Sequence, residues 1–112
     1  MKVLLDECVT KRIKPHLSHL KDFEFYTVVE MGWSGVKNGK LMSLCIIHQF
    51  DMILTIDKNI MFQQNLEKYP ITIIVLNSLS SKLEELILFI PPLSKQILQF
   101  EKNRVYIIEK SL

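Results

Sequence analysis

Only three glycines, two cysteines and one tryptophan occur in the 112 residues, and each scarcity excludes something. Cys8 and Cys45 are too few for a disulfide framework and stand in no C-x-x-C or Cys/His spacing, so neither a stapled secreted scaffold nor a zinc module is encoded. The default is a reduced, intracellular chain. Charge of one sign is also scarce: fourteen Lys and Arg against twelve Asp and Glu leave +2, too little for the footprint of a dedicated duplex-DNA binder. Long apolar runs are missing as well. Val3 to Leu5 give way at once to Asp6 and Glu7, and no stretch approaches the roughly 18 apolar residues of a membrane span. The expectation is a soluble, cytoplasmic protein with no membrane partner.

The sequence contains no repeat, linker or low-complexity segment, and its 48% apolar and 23% charged content is that of an ordinary globular domain. Residues 1–112 are therefore read as a single domain. Lys2 to Leu5, the FEFYTVV within Asp22 to Glu30, Met52 to Ile56, Ile71 to Leu76 and Arg104 to Ile108 read as strands, the fourth being of the continuous apolar kind buried on both faces. Between them, Ile13, Leu17 and Leu20 keep a helical spacing that Pro15 restricts to a late start or a kink. All three glycines fall within Met31 to Gly39, which marks a loop, and Asn38 reads as the N-cap of a helix carrying Leu41, Leu44, Cys45 and His48 on one face. Phe62 to Tyr69 reads as a short helix stopped by Pro70. Ser81 with Glu84 has the pattern of a capping box for a helix over Lys82 to Phe89, and Pro91-Pro92 starts another towards Lys102. Strands alternating with helices imply an α/β fold with right-handed crossovers and a mostly parallel sheet covered on both sides.

In such sheets the ligand crevice lies beyond the carboxyl ends of the strands, at the switch in strand order. Asp6 and Glu7 follow the first strand, Glu30 the second, Asp57 the third, and Asn77 with Ser78 the fourth. Aspartates at adjacent strand ends would supply hard oxygen ligands for Mg²⁺ or Mn²⁺, and such an ion can activate water against a phosphodiester. The plainer reading is that Asp57-Lys58-Asn59 is turn composition. His16 and His19, three apart, have no third ligand and read as surface. His48 suits a helix end, and Cys45 suits the core. Trp33 reads as a hydrophobic plug, with a base-stacking platform as the functional alternative. Gln63, Gln64 and Asn65 read as helix surface that a nucleic-acid backbone could touch.

The segments LLDE (Leu4 to Glu7), MGWSGVKNGKL (Met31 to Leu41), DMILTIDKNIMFQQNL (Asp51 to Leu66) and ITIIVL (Ile71 to Leu76) together resemble a PIN-like domain family related to the toxin ribonucleases of toxin–antitoxin operons, over nearly the whole chain. The resemblance implies a three-layer α/β/α sandwich with a mostly parallel central sheet. It also implies a Mg²⁺- or Mn²⁺-dependent endoribonuclease site of clustered carboxylates. By resemblance Asp6 is the first-strand metal ligand and Asp57 the later one. Asn38 stands at the helix start where related sequences place Asp, and Asn59 where many have Asp. Each such change keeps a neutral oxygen ligand but removes a negative charge and a possible general base.

The leading expectation is a toxin-type ribonuclease acting on single-stranded RNA. Its catalytic residues are Asp6, Asp57, Glu7 and Asn38, with Lys11, Arg12, Lys37, Lys58 and Asn59 contacting the substrate. The resemblance further implies a homodimer and an antitoxin protein as partner. The alternative is a catalytically attenuated PIN-like module that binds RNA or a protein, motivated by Asn38 and Asn59. A phosphoacceptor receiver domain using Asp57 ranks third, because a final helix after Ile108 is not expected.

Overall fold

The computed structural model describes residues 1–60 and 70–111. The expected helix at Phe62 to Tyr69, with Gln63, Gln64 and Asn65, lies outside the described residues. Strands β1 (Lys2–Leu5), β2 (Glu24–Thr27), β3 (Met52–Thr55), β4 (Thr72–Leu76) and β5 (Val105–Ile108) form one sheet in the order β2-β1-β3-β4-β5. Every neighbouring pair is parallel. The α/β reading with a mostly parallel sheet therefore holds, and no helix among the described residues is long and apolar enough to cross a membrane.

The three central strands explain their own sequences. KVLL, MILT and TIIVL are almost wholly buried because layers cover both faces of the sheet. One face carries Val3, Leu5, Met52, Leu54, Ile74 and Leu76, packed beneath Ile13, Leu17, Leu86, Phe89 and Leu93. The other carries Leu4, Ile53, Ile73 and Val75 beneath Trp33, Leu41, Met42 and Cys45. Both cores are apolar, and the period-two alternation of the strands sorts one sequence between them.

The first crossover is a 3-10 helix at Lys11–Leu17 containing Pro15, not an α-helix. Thr10 accepts the Arg12 N–H at 3.3 Å and opens it. Pro15 has no N–H to give an α-helical turn, and Ile13 and Leu17 still reach the core. The second crossover holds α1 (Asn38–Ile47), with Leu41, Met42 and Cys45 buried, Leu44 half-buried and His48 exposed. Lys37, not Asn38, occupies the cap position, and Asn38 is the first helical residue. At its far end the Gln49 N–H donates to Ile46 O at 3.1 Å and the Phe50 N–H to Cys45 O at 2.8 Å. These bonds form a Schellman closure with Gln49 at φ 62°, where glycine is usual.

After β4, α2 (Leu83–Leu86) and α3 (Ile90–Gln96) are each prolonged by a 3-10 turn. The expected Ser81/Glu84 capping box does not form. Lys82 is the cap residue without a side-chain bond, and the Ser80 hydroxyl accepts the Lys82 N–H at 3.1 Å one turn earlier. Proline at the start of α3 is tolerated because first-turn N–H groups have no helical partner.

The α2–α3 layer lies on the same face as the Lys11–Leu17 helix, and His19 Nε2 and Ser94 Oγ meet there at 2.8 Å. The β1-to-β2 and β4-to-β5 connections move across the sheet in opposite directions yet share a face, so they have opposite hands. The β2-to-β3 connection, with α1 on the other face, has the hand of the first. The crossovers therefore cannot all be right-handed, as the ordinary rule has it, and the last differs in hand from the first two.

Candidate functional site at the carboxyl ends of β1 and β3

The order β2-β1-β3 reverses the chain's direction across the sheet at β1, which puts the switch point between the carboxyl ends of β1 and β3. Leu5 is in register with Leu54, so Asp6 and Thr55 are the next pair along the seam, and the Asp6 N–H continues the ladder to Leu54 O at 2.9 Å. Thr55 is fully buried. Its hydroxyl donates to Asp6 Oδ2 at 2.7 Å and accepts the Asp57 N–H at 3.0 Å. One hydroxyl thereby ties the carboxylate after β1 to the turn after β3. The Cys8 thiol donates to the same Asp6 Oδ2 at 3.4 Å and lies 3.4 Å from Thr55 Oγ1, while the Glu7 N–H donates to Asp6 Oδ1 at 2.8 Å.

Asp57 folds back on its own turn, its Oδ1 accepting the Asn59 N–H at 2.9 Å. Lys58 reaches the end of β4, its Nζ donating to Ser78 O at 2.9 Å. Glu7 points to the glycine loop, where its Oε2 accepts the Gly35 N–H at 3.2 Å. That bond draws the segment leading to Lys37 and Asn38 towards the end of β1. Gly35 has φ 78° and Gly32 φ 76°, a region that L side chains resist, so the loop needs glycine at both positions. Trp33 is buried, edge-on to Phe50 and His48 with ring centroids 5.8 and 5.1 Å away, which is the plug and not the stacking platform.

The remaining candidates are dispersed. Lys11 and Arg12 are exposed at the start of the 3-10 helix, and His16 and His19 are exposed farther from the seam. Glu30 accepts from Lys14 Nζ at 2.8 Å and from the Thr27 N–H at 2.6 Å. The Lys14 ammonium, with the Thr27 N–H behind it, holds the Glu30 carboxyl below the usual value. Burial raises the Cys8 thiol, and burial together with the negative charge of Asp6 pushes Cys45 up to about 12. Neither is a ready nucleophile at neutral pH.

A divalent ion is fitted by this donor set only in part. Mg²⁺ commonly uses one or two protein carboxylates with waters and substrate phosphates completing its shell. Asp6 and Asp57 supply that number. Among the described residues Asp6 Oδ2 accepts two donors and Oδ1 one, and Asp57 Oδ1 accepts the Asn59 N–H while no bond to its Oδ2 is found. Among the described residues, no three His, Cys, Asp or Glu side chains converge as a ready-made cage.

Sequence reasoning placed Asp6 and Asp57 at strand ends but missed Thr55 and Cys8 as the groups that orient Asp6. The T-x-D spacing was the available signal for Thr55: a hydroxyl two residues before an aspartate can accept that residue's N–H. Nothing in the sequence flags Cys8.

Fold and site together define an α/β protein with an all-parallel five-stranded sheet, whose switch point holds the Asp6 carboxylate tied through Thr55 to the backbone of the turn at Asp57. The β2-β1-β3-β4-β5 order is also that of doubly wound phosphoacceptor sheets, but the opposite hand of the last crossover is not. No protein-family profile matches the chain, and neither a curated protein nor a solved structure does.

Proposed function

We propose that the chain is a PIN-like, metal-dependent endoribonuclease for single-stranded RNA, the toxin-type member of a toxin–antitoxin pair. The observation that carries this reading is the Asp6–Thr55–Asp57 hydrogen-bonded seam at the one place in the sheet where a ligand crevice is expected. In it Asp6 and Asp57 would hold Mg²⁺ or Mn²⁺, which would supply an activated water and offset charge on the phosphate. Thr55 keeps Asp6 oriented by donating to it. Glu7 holds the glycine loop, and with it the start of α1 at Asn38, against the end of β1. Lys11 is the exposed cation nearest along the chain to receive a phosphate.

The test is cleavage of a labelled single-stranded RNA with Mn²⁺ or Mg²⁺ by wild type, by wild type with chelator, and by Asp6→Asn purified identically. Cleavage only by the metal-loaded wild type is expected. Activity that survives chelator or Asp6→Asn would falsify the reading.

A second reading is favoured by the three hydrogen bonds that Asp6 accepts among the described residues, and by Asn38 standing where the resemblance places a carboxylate. Under it the chain is an attenuated module that binds RNA or protein without cutting. A folded wild type that binds single-stranded RNA but leaves it intact at saturating Mn²⁺ selects it.

A further inference from the structure

Two cavities lie side by side on the β2 flank of the seam. The smaller, about 190 Å³, is walled by the acidic Asp6 and Glu7 of the proposed metal end and by Val9, Lys11 and Val28. The larger, about 700 Å³, runs between the Lys11–Leu17 helix and β2, with Phe23, Phe25 and Pro15 in its apolar lining and Lys11, Lys14 and Glu30 among its polar groups. Lys11, Thr27 and Val29 line both, so the two form one trough that starts at Asp6 and Glu7 and follows the edge strand of the sheet.

The lining selects an occupant. Three cations occur within the four residues Lys11, Arg12, Ile13 and Lys14, and two of them border the larger cavity. Its one carboxylate, Glu30, is neutralised by Lys14 at 2.8 Å. The apolar lining includes Phe23, half-buried, with its ring centroid 6.5 Å from that of Phe25. Cations beside an aromatic platform match a strand that presents phosphates and base faces, and base–aromatic stacking makes no demand on sequence. A peptide on the free edge of β2 would use the apolar wall and the Lys14–Glu30 pair but make no use of the Lys11 ammonium.

We propose that this trough is the channel for a single-stranded nucleic acid, with phosphates on Lys11 and Lys14 and a base against Phe23. The inference rests on the nucleic-acid reading of the Asp6 end and adds the path of the strand away from it. Val29, 62% exposed at the junction of the two cavities, is the gate that the strand passes.

The experiment is fluorescence anisotropy with a short 2′-O-methyl oligoribonucleotide of mixed sequence in EDTA, so that cleavage plays no part. Lys11→Glu and Val29→Glu change exposed residues and should each weaken binding roughly tenfold, with Lys11→Glu also flattening the salt dependence. Phe23→Leu keeps the apolar volume but removes the stacking face, and should weaken binding by about fivefold or more with the salt dependence unchanged. Glu30→Gln can still accept the Thr27 N–H through its amide oxygen while releasing Lys14, and should tighten binding severalfold. A purely structural role for these residues does not give that gain.

A wild type that melts normally and leaves the oligonucleotide unbound overturns the channel and returns the groove to a peptide along β2. Affinity unmoved by Lys11→Glu and Val29→Glu overturns it too. Binding that responds to all four variants while Mn²⁺-loaded wild type cuts no RNA keeps the channel and overturns the nuclease reading. RNA cleavage indifferent to the four variants keeps the nuclease and overturns the channel.

Discussion

Thr55 and Asp6 are 49 residues apart in the chain and share a 2.7 Å hydrogen bond across the β1–β3 seam, donated by a hydroxyl with no exposure to solvent. The same oxygen receives the Asp57 N–H, so this side chain serves the two strand ends at once. Removing it leaves Asp6 Oδ2 with the weak Cys8 thiol as its remaining donor.

Thr55→Val should therefore lower the unfolding free energy by about 1.5–3 kcal/mol, the range for a hydrogen bond to a charged group. Thr55→Ser, which retains the hydroxyl, should lose clearly less. Urea denaturation of the three proteins checks this, and a Val variant no less stable than the Ser variant would mean that the hydroxyl contributes no more than the methyl.

Asn38 is the first residue of α1, at the positive end of the helix dipole. Asn38→Asp should raise stability by roughly 0.3–1 kcal/mol through that dipole. Under the proposed function it should also tighten Mn²⁺ binding and speed cleavage, because a carboxylate replaces a neutral oxygen. Thermal melts with and without Mn²⁺ measure both effects, and a larger shift with the ion than without it is the expected result.

The two left-handed positions flanking α1 make opposite predictions. Gly35 has φ 78° with nothing within 4 Å of where a Cβ would sit, so Gly35→Ala fails through the backbone alone, by about 1–2 kcal/mol. Gln49 holds φ 62° in an exposed Schellman position, so Gln49→Gly should stabilise the protein by about 0.5–1 kcal/mol. Chemical denaturation of both variants gives the signs, and a destabilised Gln49→Gly would mean that Gln49 is not strained.

Cys45, pushed up to about 12 chiefly by burial, keeps its proton in the folded state at pH values where the unfolded chain has released it. The native state then binds more protons than the unfolded state, so the contribution is complete below the ordinary value of 9.0 and declines as pH rises from there towards about 12. The urea midpoint should fall along this alkaline limb, less steeply in Cys45→Ala. Iodoacetamide at neutral pH should label Cys45 only after unfolding, read by mass spectrometry, and rapid labelling of the native protein would contradict its burial.

Much of the scaffold was readable one segment at a time. VLL, MILT and ITIIVL announce buried parallel strands because β-branched threonine is the only polar residue among them before the strands end. The first polar residue after β1 is the very aspartate that stands at the switch point. Capping was less readable, since Ser81 and Glu84 fit the pattern while Ser80 takes the bond, and Asn38 fits the cap while Lys37 occupies it. A capping residue competes with its immediate neighbours for the same few N–H groups, and those alternatives differ by less than tertiary packing can override.

The sequence alone determined the number and kind of strands, their burial on both faces, and the placement of Asp6 and Asp57 just beyond strand ends, because these depend on residues adjacent in the chain. Tertiary structure decided which strand ends meet, and hence that Thr55 and Cys8 converge on Asp6, that Glu7 holds Gly35, and that a trough opens beside β2. It also decided the hand of the last crossover, which placed α2 and α3 on the face of the first connection. Such relationships are set by contacts between residues far apart in sequence, whose energies belong to pairs and layers and have no signature in any single segment.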